Sequence, residues 1–287
     1  MTKFDGLDFR QLNLAELKTL VSWAQKEGWN PGANDAEMYF AADPKGFYGV
    51  FKDSKMIAGG SIVSYNGKFG FMGLFIVHPE YRGKGIGNWL WFKRRDLLIS
   101  RLQSGAAIGM DGVEAMEPFY QKGGFRSYYK NLRFSLIASK HNFSSNVFPY
   151  TPQHFQPVVE LDKKHFGFDR IEFLKAWLQN PSAKAFVYEE NKKHSGYAVV
   201  RRLERNFKFC PLFAENKEVA LELFKAGMQD CADHEILIDV PELNLSGIEM
   251  VKDFGGEHVF DCARMYYGIK PELPLKQIYG VTTFELG

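Results

Sequence analysis

Little in this 287-residue sequence marks an extracellular, membrane-bound or nucleic-acid-binding protein. It has three cysteines, Cys210, Cys231 and Cys262, with no C-x-x-C pair among them. That odd, dispersed set speaks against a disulfide scaffold and a thiolate zinc site, and for a reducing compartment. No apolar run is long enough to cross a bilayer, and Met1 to Arg10 lacks the apolar heart of a signal peptide. Cytoplasmic localisation without a membrane partner is the expectation. Charge of either sign is not in surplus: 36 Lys and Arg against 34 Asp and Glu leave +2. No nucleic-acid partner is implied, and the densest basic run, Lys93-Arg-Arg95, reads as the solvated face of a helix. No His/Cys/Asp/Glu group has metal-ligand spacing, so no metal is expected, and no Ser-His-Asp or Cys-His pattern offers a nucleophile. Only 12 prolines are present, with 45% hydrophobic and 15% aromatic residues, so disorder is excluded and real cores are available.

The informative stretch runs from Phe71 to Leu90. The unbroken apolar run Phe71 to Val77 reads as a strand buried on both faces, hence central in a sheet. It leads into the basic, glycine-rich turn Arg82-Gly-Lys-Gly-Ile-Gly87 and then a helix-compatible segment. Glycines let backbone N–H groups approach an anion closely, and the helix start adds orphan donors and a positive dipole end. The segment is therefore a candidate phosphate cradle. A P-loop would need Ser or Thr after Lys84, and the Rossmann fingerprint would need a glycine where Asn88 stands.

Upstream, Asp8 to Leu12 can form a strand, and Asn13 with Glu16 forms a capping-box signal for a helix stopped at Gly28. Ala36 to Ala42 reads as a second helix, and Phe47 to Lys52 and Met56 to Tyr65 as hairpin strands. Asn66-Gly67 is a type I′ turn signal into the central strand. After the cradle, Ile86, Leu90, Leu97 and Leu98 form the inner face of a helix running to about Gln103, and Ala106 to Met110 is a strand. Glu117 to Phe125 holds a short helix, and Tyr128 to Ala138 closes the unit. Residues 141–152 read as a linker. The plan then repeats from Phe155 to Tyr267, which predicts two similar domains, residues 1–140 and 153–270, with a tail over 271–287 that can add an edge strand. In the second copy, Pro211-Leu-Phe-Ala-Glu-Asn216 stands where the first has its glycine turn: no glycine, and an acid where a phosphate would sit.

The string around Arg82, Gly85 and Gly87 resembles motif A of the GNAT (GCN5-related N-acetyltransferase) superfamily. Glu117-Pro-Phe-Tyr-Gln-Lys-Gly-Gly-Phe125 resembles that superfamily's second hallmark. Trp29-Asn-Pro-Gly, Asp43-Pro-x-Gly-Phe47, Asp111-Gly-Val113 and Arg264-Met265 extend the likeness to a bacterial-type tandem subgroup with a degenerate C-terminal domain. The implied fold class is α/β (α+β): two tandem GNAT-like domains, each a mixed, mostly antiparallel sheet flanked by helices. The implied activity is direct transfer of an acetyl group from acetyl-CoA to the primary amine of a small molecule or peptide. A rival reading is an acyl-CoA-binding regulatory module without turnover, since Met72, Gly73 and Leu74 offer no carboxylate on the central strand.

The resemblance assigns the CoA pyrophosphate to Arg82, Gly83, Lys84, Gly85, Ile86, Gly87 and Asn88, and the pantetheine arm to the backbone of Phe75, Ile76 and Val77. It makes Tyr120 the candidate acid at the thioester sulfur, the alternative being a packed aromatic. Asp111, at a strand end, is either an acceptor-side base or ammonium holder, or a turn cap. Trp29, Asn34 and Asp35 lie where the family walls its acceptor pocket; as residues alone, Trp29 reads as a packed anchor and Asp35 as a helix cap. Oligomeric state is left open.

Overall fold

The structure, a computed structural model, describes residues 4–287. The first half contains β1 (Asp8–Gln11), α1 (Leu14–Lys26), α2 (Asp35–Ala42), β2 (Phe47–Lys52), β3 (Lys55–Tyr65), β4 (Phe69–Val77), α3 (Ile86–Ser100), β5 (Ala107–Gly112), α4 (Glu117–Lys122) and β6 (Arg126–Ile137). After β7 (Val147–Pro149) the same order recurs: α5 (Phe155–Phe166), α6 (Ile171–Leu178), β8 (Ala183–Glu190), β9 (Lys193–Arg202), β10 (Phe207–Ala214), α7 (Lys217–Gln229), β11 (Glu235–Pro241), α8 (Leu245–Asp253) and β12 (Glu257–Tyr267). The last strand is β13 (Ile278–Gly280).

Local chemistry accounts for most boundaries. Asn13 accepts from Glu16 N–H at 2.9 Å while the Glu16 side chain accepts from Asn13 N–H, the reciprocal bonding of a capping box. Asn66 and Gly67 both have positive φ, as a type I′ turn requires. Asn216 caps α7 through its side chain and Asn244 caps α8 in the same way.

Strand pairing departs from two self-contained sheets. One sheet runs in the order β1-β2-β3-β4-β5-β12-β6-β11-β10-β9-β8-β7, with β13 on β10. The halves have exchanged closing strands: β12 lies antiparallel between β5 and β6, and β6 pairs with β11. The expectation that Tyr128 to Ala138 closes the first half's own sheet is thereby corrected. Periodicity shows that a segment has two pairable edges but not which strands take them. The 141–152 stretch carries β7, which extends the sheet at β8. β4–β5 and β10–β11 are the parallel pairs; the other ladders are antiparallel.

One apolar core takes residues from α1, α2, α5 and α6, including Leu20, Tyr39, Val158 and Trp177, and so binds the two halves together. Trp91 and Leu98 of α3 pack with Tyr120 of α4 in a second cluster, and α7 with α8 fill a third. Cys210, Cys231 and Cys262 are free and buried. Among the described residues, no helix is long and apolar enough to cross a membrane.

Candidate active site

The site grows out of a defect in β4. Leu74 has φ +47°, and the β3–β4 register shifts between Gly59 and Ser61, so two residues of β4 face one of β3. On its other edge, β4 pairs with β5 only over Phe69–Phe71, and beyond that the strands part. Arg94 pins the bulge. It is fully buried in α3, and its Nη2 donates to the carbonyls of Ser61 and Gly73, the latter at 2.8 Å. Its Nε and Nη1 find no partner among the described residues, and burial pulls its pKa down to about 9. The basic run is thus not wholly solvated: Arg94 falls on the inner stripe of Ile86, Leu90 and Leu98.

A cavity of about 920 Å³ opens where β4 leaves β5. Phe75, Ile76 and Val77 line it, followed by Arg82, Gly83, Gly85, Gly87 and Asn88. Gly83 and Gly85 have φ of +73° and +83°, and a Cβ on Gly83 would meet nothing within 4 Å, so the turn is open to an incoming group. Gly85 is the N-cap of α3, whose first-turn N–H groups point out of the helix. Arg82 is braced by Glu27 and donates from Nε to Val77 O at 2.9 Å. Two expected cradle residues stand apart. Ile86 is buried in the cluster behind the turn, and Lys84 donates to Glu80 O at 2.7 Å. The rest fits an acyl-CoA substrate, with oriented donors for a pyrophosphate and a free strand edge for an amide-bearing arm.

Tyr120 lies in the cavity wall near the parted strands, stacked on Trp91 at 5.9 Å between ring centroids. Burial pushes its hydroxyl up to about 12, against the opposing pull of Arg94. Asp111 also reaches the wall, but its carboxylate is engaged by Arg264 at 2.8 and 2.7 Å and by Asn131 at 2.9 Å. Burial raises its pKa despite Arg264. The role expected of it, base or ammonium holder, does not fit this geometry; it ties β5 to β12.

The acceptor-side residues divide. Trp29 lines the cavity; Asn34 and Asp35 do not. Asn34 donates to Asn180 at 3.2 Å, and Asp35 is buried in an ion pair with Arg201 of β9. Both join the halves instead of touching an acceptor. The wall also takes residues distant in sequence: Arg133, Phe260, Cys262, Phe284 and Glu285. Arg133 donates from Nε and Nη2 to Asp239 at 2.7 and 2.9 Å, and Lys208 pairs with the same carboxylate. Burial alone would raise the Asp239 pKa, but the two cations outweigh it and hold it at about 2. A carboxyl lowered on folding stabilises the fold above its unfolded pKa and loses that effect as pH falls. Urea unfolding should therefore show about 2 kcal/mol lost between about pH 4 and 2, a step that Asp239→Asn lacks. The same loss in both proteins would refute the assignment.

The second half shows what happens to such a cleft when it is closed. β10 pairs with β11 over Phe207–Phe209, after which the two part around the Cys210–Pro211 bulge, as β4 and β5 do. Into that gap goes β13, antiparallel to Leu212 and Phe213, with Val281 N–H donating to Asp239 O at 2.9 Å. The closing segment thus satisfies the strand edge that β4 leaves free. The fold also brings together His154, Glu189 and His194, with ligand atoms within 4.8 Å of one another, a grouping that no local spacing announces.

Comparison with known proteins bears on this geometry. Residues 13–125 match the family model described as "Acetyltransferase (GNAT) family", and residues 158–280 match "Acetyltransferase (GNAT) domain". A holothin acyltransferase of Pseudoalteromonas sp. (strain SANK 73390) is 29% identical over 277 residues, spanning 96% of this chain and 92% of that protein. A crystal structure of a candidate acetyltransferase from Pyrococcus horikoshii superposes with a TM-score of 0.84 at 25% identity, covering 99% of this chain and 97% of the other. A tandem GNAT protein from the clavulanic acid biosynthesis pathway shares the fold, with a TM-score of 0.64 at 14% identity over 93% and 99% of the two chains.

Proposed function

The chain belongs to the GNAT superfamily as a tandem-domain acyltransferase, and from that premise we propose that it transfers an acetyl group from acetyl-CoA to the primary amine of a small molecule. The observation that carries this reading is the single cavity running from the glycine turn at Gly83–Gly87, along the free edge of β4, to Tyr120. The backbone donors of Gly83, Gly85 and Gly87, with Arg82, hold the pyrophosphate. Phe75 to Val77 turn the edge of β4 that faces away from β3 toward the pantetheine. Tyr120, protonated at neutral pH, gives its proton to the departing thiolate. With β13 in the second cleft, one acyl-CoA site per chain is assigned to residues 1–140, and 153–270 supports the acceptor end. Three buried free thiols accord with a reducing compartment, the cytoplasm.

Gly85→Val tests the cradle. A β-branched residue is strained at φ +83°, so the turn must shift. Losing two charge-assisted hydrogen bonds, at about 1.5–3 kcal/mol each, should weaken CoA binding about 100-fold or more by calorimetry. Unchanged affinity would overturn the assignment. Thiol release from acetyl-CoA across amino acids, polyamines and aminoglycosides identifies the acceptor class.

A further inference from the structure

Three acids line the cavity: Glu27, Asp111 and Glu285. Glu27 is paired with Arg82 and Asp111 with Arg264. Glu285 forms no ion pair among the described residues. It comes from the closing segment, after β13 has left the second cleft, and its backbone is pressed against β4 at the bulge. A Cβ on Gly73 would lie 2.1 Å from Glu285 O, a carbonyl that also accepts from Ser61 Oγ at 3.3 Å. Only glycine at 73 admits the segment there. The side chain is oriented through one oxygen: Oε2 accepts from Thr283 Oγ1 at 2.6 Å and lies 3.3 Å from Tyr39 Oη. Oε1 has no hydrogen-bond partner among the described residues.

Arg133 of β6 and Lys208 of β10 share the single charge of Asp239 of β11, which leaves a positive surplus beside Glu285. Burial works against charge on Arg133, but Asp239 and then Glu285 hold its pKa above the ordinary value. Arg94 of α3, donating to Gly73 O at 2.8 Å, and the Asp35–Arg201 pair, with Asp35 3.1 Å from Tyr39 Oη, are the other charged groups at hand. Burial raises both the Cys262 thiol of β12 and the Tyr39 hydroxyl of α2. The one free carboxylate of the wall thus stands at the bulge where the free edge of β4 begins.

We propose that Glu285 is the acceptor subsite: it binds a primary ammonium and takes its proton. This rests on the acyltransferase reading above. Glu285 removes one proton from R–NH3⁺, directly or through one water. The freed nitrogen lone pair forms the C–N bond to the thioester carbonyl as the C–S bond breaks, its electron pair passing to sulfur. Tyr120 supplies the proton that makes the thiol, and the second proton lost from nitrogen restores the phenol. Glu285 returns its proton to solvent, so amine cation plus thioester yield amide, thiol and one H⁺.

The test compares Glu285→Gln and Glu285→Asp with the unaltered protein, following thiol release from acetyl-CoA with a panel of primary amines and with water alone as acceptor. Gln keeps an oxygen that accepts from Thr283 Oγ1, and melting curves and CoA calorimetry check fold and donor site. Glu285→Gln should lower turnover about 100-fold at pH 7 with CoA affinity within about twofold, the range of a lost general base. The deficit should shrink at high pH, where the amine loses its proton unaided, and Asp should restore part of the rate. Amine-dependent turnover of Glu285→Gln within twofold of the unaltered protein, after the rate with water alone is subtracted, overturns the proposal and leaves the acyltransferase reading standing. An unaltered protein that neither binds CoA nor releases thiol defeats that reading first, and Glu285 with it.

Discussion

A chain ended at Pro274 should lose its cooperative thermal transition. Ile278, Tyr279, Val281 and Leu286 are all at least nine-tenths buried. At about 1.5–3 kcal/mol for each buried side chain, their removal costs about 6–12 kcal/mol, the scale of a whole protein's stability. Ordering the segment costs conformational entropy, which offsets part of this. Its polar ties add to the loss: Asn244 Nδ2 to Ile278 O at 2.9 Å, Arg170 to Thr282 at 2.8 Å, and Tyr65 Oη to Leu286 O at 2.8 Å. Without the segment, the free edge of β10 would face solvent or pair with another chain. Calorimetry with near-ultraviolet circular dichroism decides the matter. A shortened protein melting within a few degrees of the full chain would show that β13 decorates the second cleft and does not hold it.

Tyr120→Phe should separate chemistry from binding. Phenylalanine keeps the stacking on Trp91, and the cavity loses one hydroxyl. If the phenol protonates the thiolate, turnover should fall about 100-fold or more while the CoA dissociation constant moves less than about twofold. Because the hydroxyl is raised to about 12, it stays protonated through the working pH range. Loss of activity in mildly alkaline solution should therefore not come from this residue, and the alkaline limb should be the same in mutant and unaltered protein. Stopped-flow or steady-state thiol release across pH measures both. An unchanged turnover number would leave Tyr120 as a packing aromatic.

Where local chemistry decides, sequence and structure agree. The capping box at Asn13 and Glu16, the turn at Asn66-Gly67, the glycine turn at Gly83–Gly87 and the apolar β4 all fall where short-range patterns put them. The resemblance to the GNAT superfamily rested on such strings, and the family-model matches and tandem relatives agree with it. Charge pairing is where sequence and structure part. The resemblance puts Asp35 at the acceptor pocket, with a helix cap as the alternative, and residue type leaves Asp111 as base, ammonium holder or turn cap. Both instead meet arginines more than 150 residues away, Arg201 and Arg264. Arg94 looked solvated because Lys93 and Arg95 flank it, although helical spacing from Ile86 and Leu90 placed it inward.

By itself, then, the sequence determined the element order, the duplication, the glycine turn and the tyrosine beside it, because each depends on residues within one or two helical turns. Only the tertiary structure decided which half completes which. Strands β6 and β12 change places, β13 enters the second cleft, and Glu285 arrives at Gly73. Strand edges are chemically alike along the backbone, so partner choice follows from packing of the whole sheet. A carboxylate near the end of the chain carries no local mark of the cavity it will enter.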